Sequence, residues 1–165
     1  MSVLWPYFWP VLGFGVVCGI VAGAVGLRPR RKLYPALAVG LAAAIAAAVL
    51  WHGPLGAADR LAATVERSAR QTLDAYEMTA VEARLHRDPL SRRLVLSGPA
   101  DDFQRRELVR IMDGLPGVRE ARWSGGGGLP LIGEAAIAAL AGFLIGLLLA
   151  YLVELRRRYN AQWKW

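Results

Sequence analysis

Three long stretches without an Asp, Glu, Lys or Arg constrain this chain more than any other feature. They fall at 1–27, 33–58 and 135–153, and each holds the roughly 20 mostly apolar residues needed to cross a hydrocarbon core about 30 Å thick. In a chain of 165 residues, 55% of them hydrophobic, the remainder is too small to bury three such segments inside one soluble globule. A buried core helix is the alternative for the alanine-rich second stretch, and it lacks a surrounding core. The expected class is a membrane protein with three transmembrane α-helices, at 1–27, 34–52 and 131–153.

The distribution of charge then sets an expected topology. Arg28, Arg30, Arg31 and Lys32 fill a loop at 28–33 with no acid, and a tail at 154–165 carries Arg156, Arg157, Arg158 and Lys164 against Glu154. Residues 58–123 hold twelve arginines and eleven acids. The net charge of +7 therefore sits in the loop and tail. That is the positive-inside pattern rather than a nucleic-acid footprint. It predicts a multi-pass protein of a bacterial inner membrane, with the N-terminus and residues 58–123 in the periplasm and the C-terminus in the cytoplasm. The first segment lacks a basic leader and a small-residue cleavage site, so it is expected to stay as a helix rather than be removed as a signal peptide. The one cysteine, Cys18, lies within it, which leaves no internal disulfide.

Each spanning segment carries marks of its environment. Trp5 and Trp9 at one end of the first, Trp51 at the end of the second, and Trp163 and Trp165 in the tail are expected interface anchors, since indole rings prefer the headgroup level. Gly15, Gly19 and Gly23 recur every four residues on one helix face, Ala36, Gly40, Ala44 and Ala48 do so in the second helix, and Gly142 and Gly146 form a pair in the third. Such small-residue ridges let helices approach closely, either within the bundle or against another membrane protein. The short loop between the first two makes them an antiparallel hairpin.

Residues 58–123 read as a water-soluble module. Leu61, Val65, Ala69, Leu73 and Tyr76 form a helical stripe. Val81, Ala83 and Leu85 alternate as a strand, Asp88 and Pro89 turn the chain, and Leu94 and Leu96 repeat the alternation in a second strand that ends at Gly98 and Pro99. Asp101 and Gln104 have capping-box spacing ahead of a helix burying Leu108, Ile111, Met112 and Leu115. Val118, Ala121 and Trp123 mark a third strand. The order helix, strand, strand, helix, strand predicts a small α+β layer. Residues 124–130, with four consecutive glycines, read as a linker.

The run Arg93-Leu94-Val95-Leu96-Ser97-Gly98, followed by a helix opening at Asp101 and Asp102 and then by Leu115-Pro116-Gly117-Val118, resembles a BON domain. Gly98, Gly117 and Val118 carry the likeness, which covers about 60 residues. The resemblance implies an αββαβ fold and a non-enzymatic module of bacterial envelope proteins, associated with phospholipid or envelope attachment. This chain departs from familiar members in having no lipobox cysteine, no second copy and no peptidoglycan-binding domain.

Chemistry-bearing clusters are sparse. His52 and His86 are the only histidines, in separate segments, so neither a metal site nor a catalytic base is expected, and no cofactor. The functional expectation is an accessory subunit of a larger membrane complex, with other integral membrane proteins and membrane lipids as partners and a homo-oligomer as a further option. The alternative is an envelope-binding protein whose Arg84, Arg92, Arg93, Arg105 and Arg106 touch anionic lipid or cell-wall material. A small oligomeric channel or transporter ranks last, because the spans lack ionisable residues.

Overall fold

The computed structural model of the chain describes residues 3–27, 33–123 and 129–162. The basic loop with Arg28, Arg30, Arg31 and Lys32, Ser124 with the four glycines at 125–128, and Trp163 and Trp165 lie outside them. In chain order the elements are α1 (Trp5–Gly26), α2 (Leu33–His52), α3 (Ala57–Ala75), β1 (Glu82–Arg87), β2 (Leu90–Ser97), α4 (Asp102–Asp113), β3 (Glu120–Arg122) and α5 (Leu131–Gln162). Three of these, α1, α2 and most of α5, are long and apolar enough to cross a membrane. The chain divides into two compact units, one of Met1–Tyr7 with Gly56–Glu134 and one of Phe8–Leu55 with Ala135–Trp165.

In the first unit, β2 lies between β1, to which it is antiparallel, and β3, to which it is parallel. The parallel pair is joined through α4, while the antiparallel pair needs only a tight turn with a cis peptide between Asp88 and Pro89. Leu85, Leu94 and Ala121 are direct partners across the three strands, and all are buried. Against them pack Leu61, Val65, Ala69 and Leu73, whose spacing makes one face of α3, together with Leu108 and Met112 of α4. Tyr76 does not join this stripe. The helix ends at Ala75, so Tyr76 leaves the helical phase as the C-cap and is 55% exposed.

The start of α4 follows its sequence closely. The Gln104 N–H donates to Asp101 Oδ1 at 2.7 Å, and the Asp101 N–H donates to Gln104 Oε1 at 3.0 Å, which satisfies two otherwise orphan donors. Gly98 and Gly117 both have positive φ, at 128° and 101°. A Cβ on Gly98 would come within 2.5 Å of the Ala80 carbonyl oxygen, and one on Gly117 within 2.7 Å of Val65. Only glycine fits these two turns.

The second unit is a three-helix bundle. Leu37, Leu41, Ala44, Ala48 and Trp51 form the inward stripe of α2, packing with Val11, Cys18 and Ala22 of α1 and with Ala139, Phe143 and Leu147 of α5. Here α1 and α2 are antiparallel, as Val11 meets Ala48 and Gly26 meets Leu33. In contrast α1 and α5 are parallel, as Gly15 meets Ala139, Gly19 meets Phe143 and Gly23 meets Ala150. The third helix also runs beyond the expected end at Val153. Glu154 pairs with Arg157 at 3.7 Å and Arg158 at 3.0 Å along the helix surface, and leucine, arginine, alanine and glutamine carry the helix on to Gln162.

Candidate functional site

Two surfaces compete for a functional role: the faces of the bundle and the charged face of the sheet. The glycine ridge of α1 is fully used inside the bundle. A Cβ on Gly15 would meet the Ala139 carbonyl oxygen, and one on Gly19 the Phe143 carbonyl oxygen. From the other side, Gly142 faces the Leu12 carbonyl and Gly146 the Val16 carbonyl. These four glycines therefore set a backbone-to-backbone approach between two parallel helices, which a methyl group would prevent. Gly40 serves α2 in the same way, with Ala22 at 2.6 Å and the Phe143 ring at 3.0 Å from the position a Cβ would take.

With those ridges spent, the outward surface of α2 stands out. Ala38, Ala42 and Ala46 are exposed at four-residue spacing, opposite the inward stripe. Only 11% of its apolar window is buried, against 28% in each of the other two. Beside this stripe an open groove of about 460 Å³ runs between α1 and α2, lined by Val17, Val21 and Val25 on one wall and Pro35, Val39 and Ala43 on the other. The expected anchors Trp5 and Trp9 are exposed, and Trp51 is partly buried against the bundle core.

The five candidate arginines of the module do not make one patch. Arg84 and Arg93 share the sheet face that carries Val95, opposite the buried row. Arg84 is exposed and pairs with Glu82 at 3.2 Å, whereas Arg93 is 14% exposed and held by Glu120 at 2.7 Å. Arg92 donates to the Gly117 carbonyl at 3.0 Å and to Glu134 at 3.2 Å. Arg105 donates to the Ala100 carbonyl and lies 5.3 Å from the centroid of the Trp123 ring, a cation–π distance. Arg106 is exposed on α4, one helical step from Phe103, which is 70% exposed. Of the five, Arg92 and Arg93 are mostly buried and committed to internal partners.

Glu134 lies in the first turn of α5, and its main contacts come from the module. It accepts from Arg92 at 3.2 Å and from Arg119 at 3.3 Å, so the first turn of α5 belongs to the module. Pro130 forms an antiparallel bridge with Ser91 just before it, and Leu131 is buried. No local spacing signals a contact between residues 42 positions apart.

Glu120 is the module group whose acidity is visibly shifted. The hydrogen bond from Arg93 holds its carboxyl below the usual range, with Arg122 acting the same way and partial desolvation opposing both. Among the described residues, no cluster of three or more His, Cys, Asp or Glu is placed to hold a metal ion.

No family's sequence profile matches this chain, and neither a curated protein nor a solved structure matches it.

Proposed function

We propose that this protein is a non-enzymatic accessory subunit of a larger membrane complex. Three spanning helices anchor it, α2 docks against a partner helix, and the module at 56–134 makes contacts on the extracytoplasmic side. The observation that carries the reading is the exposed Ala38, Ala42 and Ala46 stripe beside an open apolar groove, in a bundle whose own glycine ridges are already occupied. Such a smooth stripe lets a second helix approach closely and gain van der Waals contact.

Orientation belongs to the same proposal. The Gly26 end of α1, the Leu33 end of α2 and the Arg156, Arg157 and Arg158 end of α5 share one end of the bundle, and Arg28, Arg30, Arg31 and Lys32 fall between the first two in sequence. Basic residues concentrate there, and the positive-inside tendency makes that end cytoplasmic. A bacterial inner membrane fits this arrangement. The BON-like reading of the module is supported by the element order and by the conformations of Gly98 and Gly117.

Pull-down of the tagged full chain from membranes in a mild detergent tests the reading. A stoichiometric membrane partner, lost on Ala42→Leu and Ala46→Leu, is the expected result. Recovery of the wild type solely as a free monomer sinks it.

A second reading, envelope attachment by the module, draws on Phe103 and Arg106, an exposed aromatic and an exposed cation on one side of α4. Capture of anionic vesicles by proteoliposomes carrying the full chain, abolished by Phe103→Ser with Arg106→Gln, would favour it over the first.

A further inference from the structure

We propose that the C-terminal halves of α1 and α5 form a binding site for one anionic phospholipid. The site is a cleft of about 200 Å³ lined by Ile20, Gly23 and Ala24 of α1, by Leu27 just past its end, and by Leu149, Ala150, Val153, Glu154 and Arg157 of α5. Its floor is set by the close approach of Gly23 to Ala150, where an added Cβ would lie 2.5 Å from the alanine methyl. The lining is apolar from Ile20 and Leu149 to Val153, and every charged group lies at one end.

That polarity selects the occupant. From Leu149 to Arg157 the helix advances about 12 Å, so the cleft takes a length of hydrocarbon and ends at a guanidinium. A soluble anion has no use for the apolar part, and a partner helix has no use for a charge at one end. An acyl chain with a phosphate at its head uses both. The acid at the mouth does not cancel the charge, because Glu154 is shared by two cations, Arg158 at 3.0 Å and Arg157 at 3.7 Å, and the cluster stays net positive. Arg157 is 75% exposed in its side chain, with Nη1 3.7 Å from Glu154. Arg156, the preceding residue, lies on another side of the helix and adds only to the general positive field at this end.

The inference rests on the reading that these helices span a membrane, and the test separates the two. The delipidated full chain in mild detergent is offered phosphatidylglycerol or phosphatidylcholine at equal mole fraction, and retained lipids are counted by native mass spectrometry. One phosphatidylglycerol is expected per chain, in preference to phosphatidylcholine. Arg157→Gln is expected to weaken its retention about fivefold, the effect of one basic residue near a lipid surface. Ala24→Phe, which fills the cleft, is expected to reduce retention as well, while Arg110→Gln in the module leaves it unchanged. Equal retention of the two lipids, or unchanged phosphatidylglycerol retention in Arg157→Gln, overturns the site. Alkaline extraction of membranes checks the underlying reading separately: release of the chain overturns both, and a chain that stays embedded leaves the lipid counts to decide.

Discussion

Glu66 Oε1 accepts the backbone N–H of Leu85 at 3.0 Å, across the outer edge of β1. Two strands away, on the same transverse row, Asp113 Oδ1 accepts the N–H of Ala121 at 2.6 Å. Each helix thus lends a carboxylate to the sheet edge beside it, and Arg70 of α3 adds a donor to the Val81 carbonyl at 3.0 Å. Unpaired strand edges invite other chains to add to the sheet. Here each edge has a donor already occupied, which disfavours strand addition by another chain.

These two caps are separable. Glu66→Ala and Asp113→Ala are each expected to cost about 1–3 kcal/mol, the value of a hydrogen bond to a charged acceptor. Two inter-strand spacings, about 10 Å, divide them, so their effects add within about 0.5 kcal/mol. Amide hydrogen exchange gives the specific readout. Leu85 should lose protection in the first variant alone and Ala121 in the second alone.

Glu134 fastens the first turn of α5 to the sheet through Arg92 and Arg119. With the Arg92 pair about one-fifth exposed on each side, Glu134→Gln is expected to destabilise the module by about 1–2 kcal/mol, mainly by leaving the Arg92 guanidinium without its counter-charge. Arg119 is more than half exposed, so Arg119→Gln costs under about 1 kcal/mol. Chemical denaturation of the detergent-solubilised chain measures both, and the reverse order of effects would contradict the assignment.

A matched pair of glycine substitutions tests the bundle. Gly13 has nothing within 4 Å of its missing Cβ, whereas Gly15 faces the Ala139 carbonyl. Gly13→Ala should be neutral within about 0.5 kcal/mol. Gly15→Ala should destabilise by about 1–3 kcal/mol, the range for overpacking a tight contact. Unfolding in mixed micelles compares them directly, and equal behaviour would mean that α1 and α5 do not meet at this face.

The Glu120 ion pair predicts a pH effect with a definite sign. Its folded-state pKa is lowered from the ordinary 4.5, so the carboxylate favours the folded state above that value. The contribution is lost as pH falls through the folded-state pKa. The stability gap between wild type and Glu120→Gln should therefore be largest at neutral pH and close as pH drops below 4.5. A gap that widens on acidification would refute the pairing.

What the sequence made legible follows from how local each cause is. Charge-free runs long enough to span, the α3 stripe, the strand alternation and the Asp101–Gln104 capping box all arise within one element, and all recur in the structure. Contacts between elements were less legible. The ridge of Gly15, Gly19 and Gly23 could equally face α2 or α5, and nothing in its spacing says that it lies along Gly142 and Gly146 in parallel. Alanine falls on nearly every side of α2, so its outward stripe at Ala38, Ala42 and Ala46 emerges only once Ala44 and Ala48 are seen buried. The extension of α5 past Val153 was hidden because hydropathy reports where a lipid-compatible segment stops, not where hydrogen bonding stops.

The docking of α2 is the centre of the account, and a photoreactive amino acid placed at Ala42 tests it most directly. Illumination of intact membranes should join the chain to a second membrane protein, while the same probe at Ala44, which is buried against α1 and α5, should yield no intermolecular product. Adducts of the Ala42 probe with lipid alone would contradict the account.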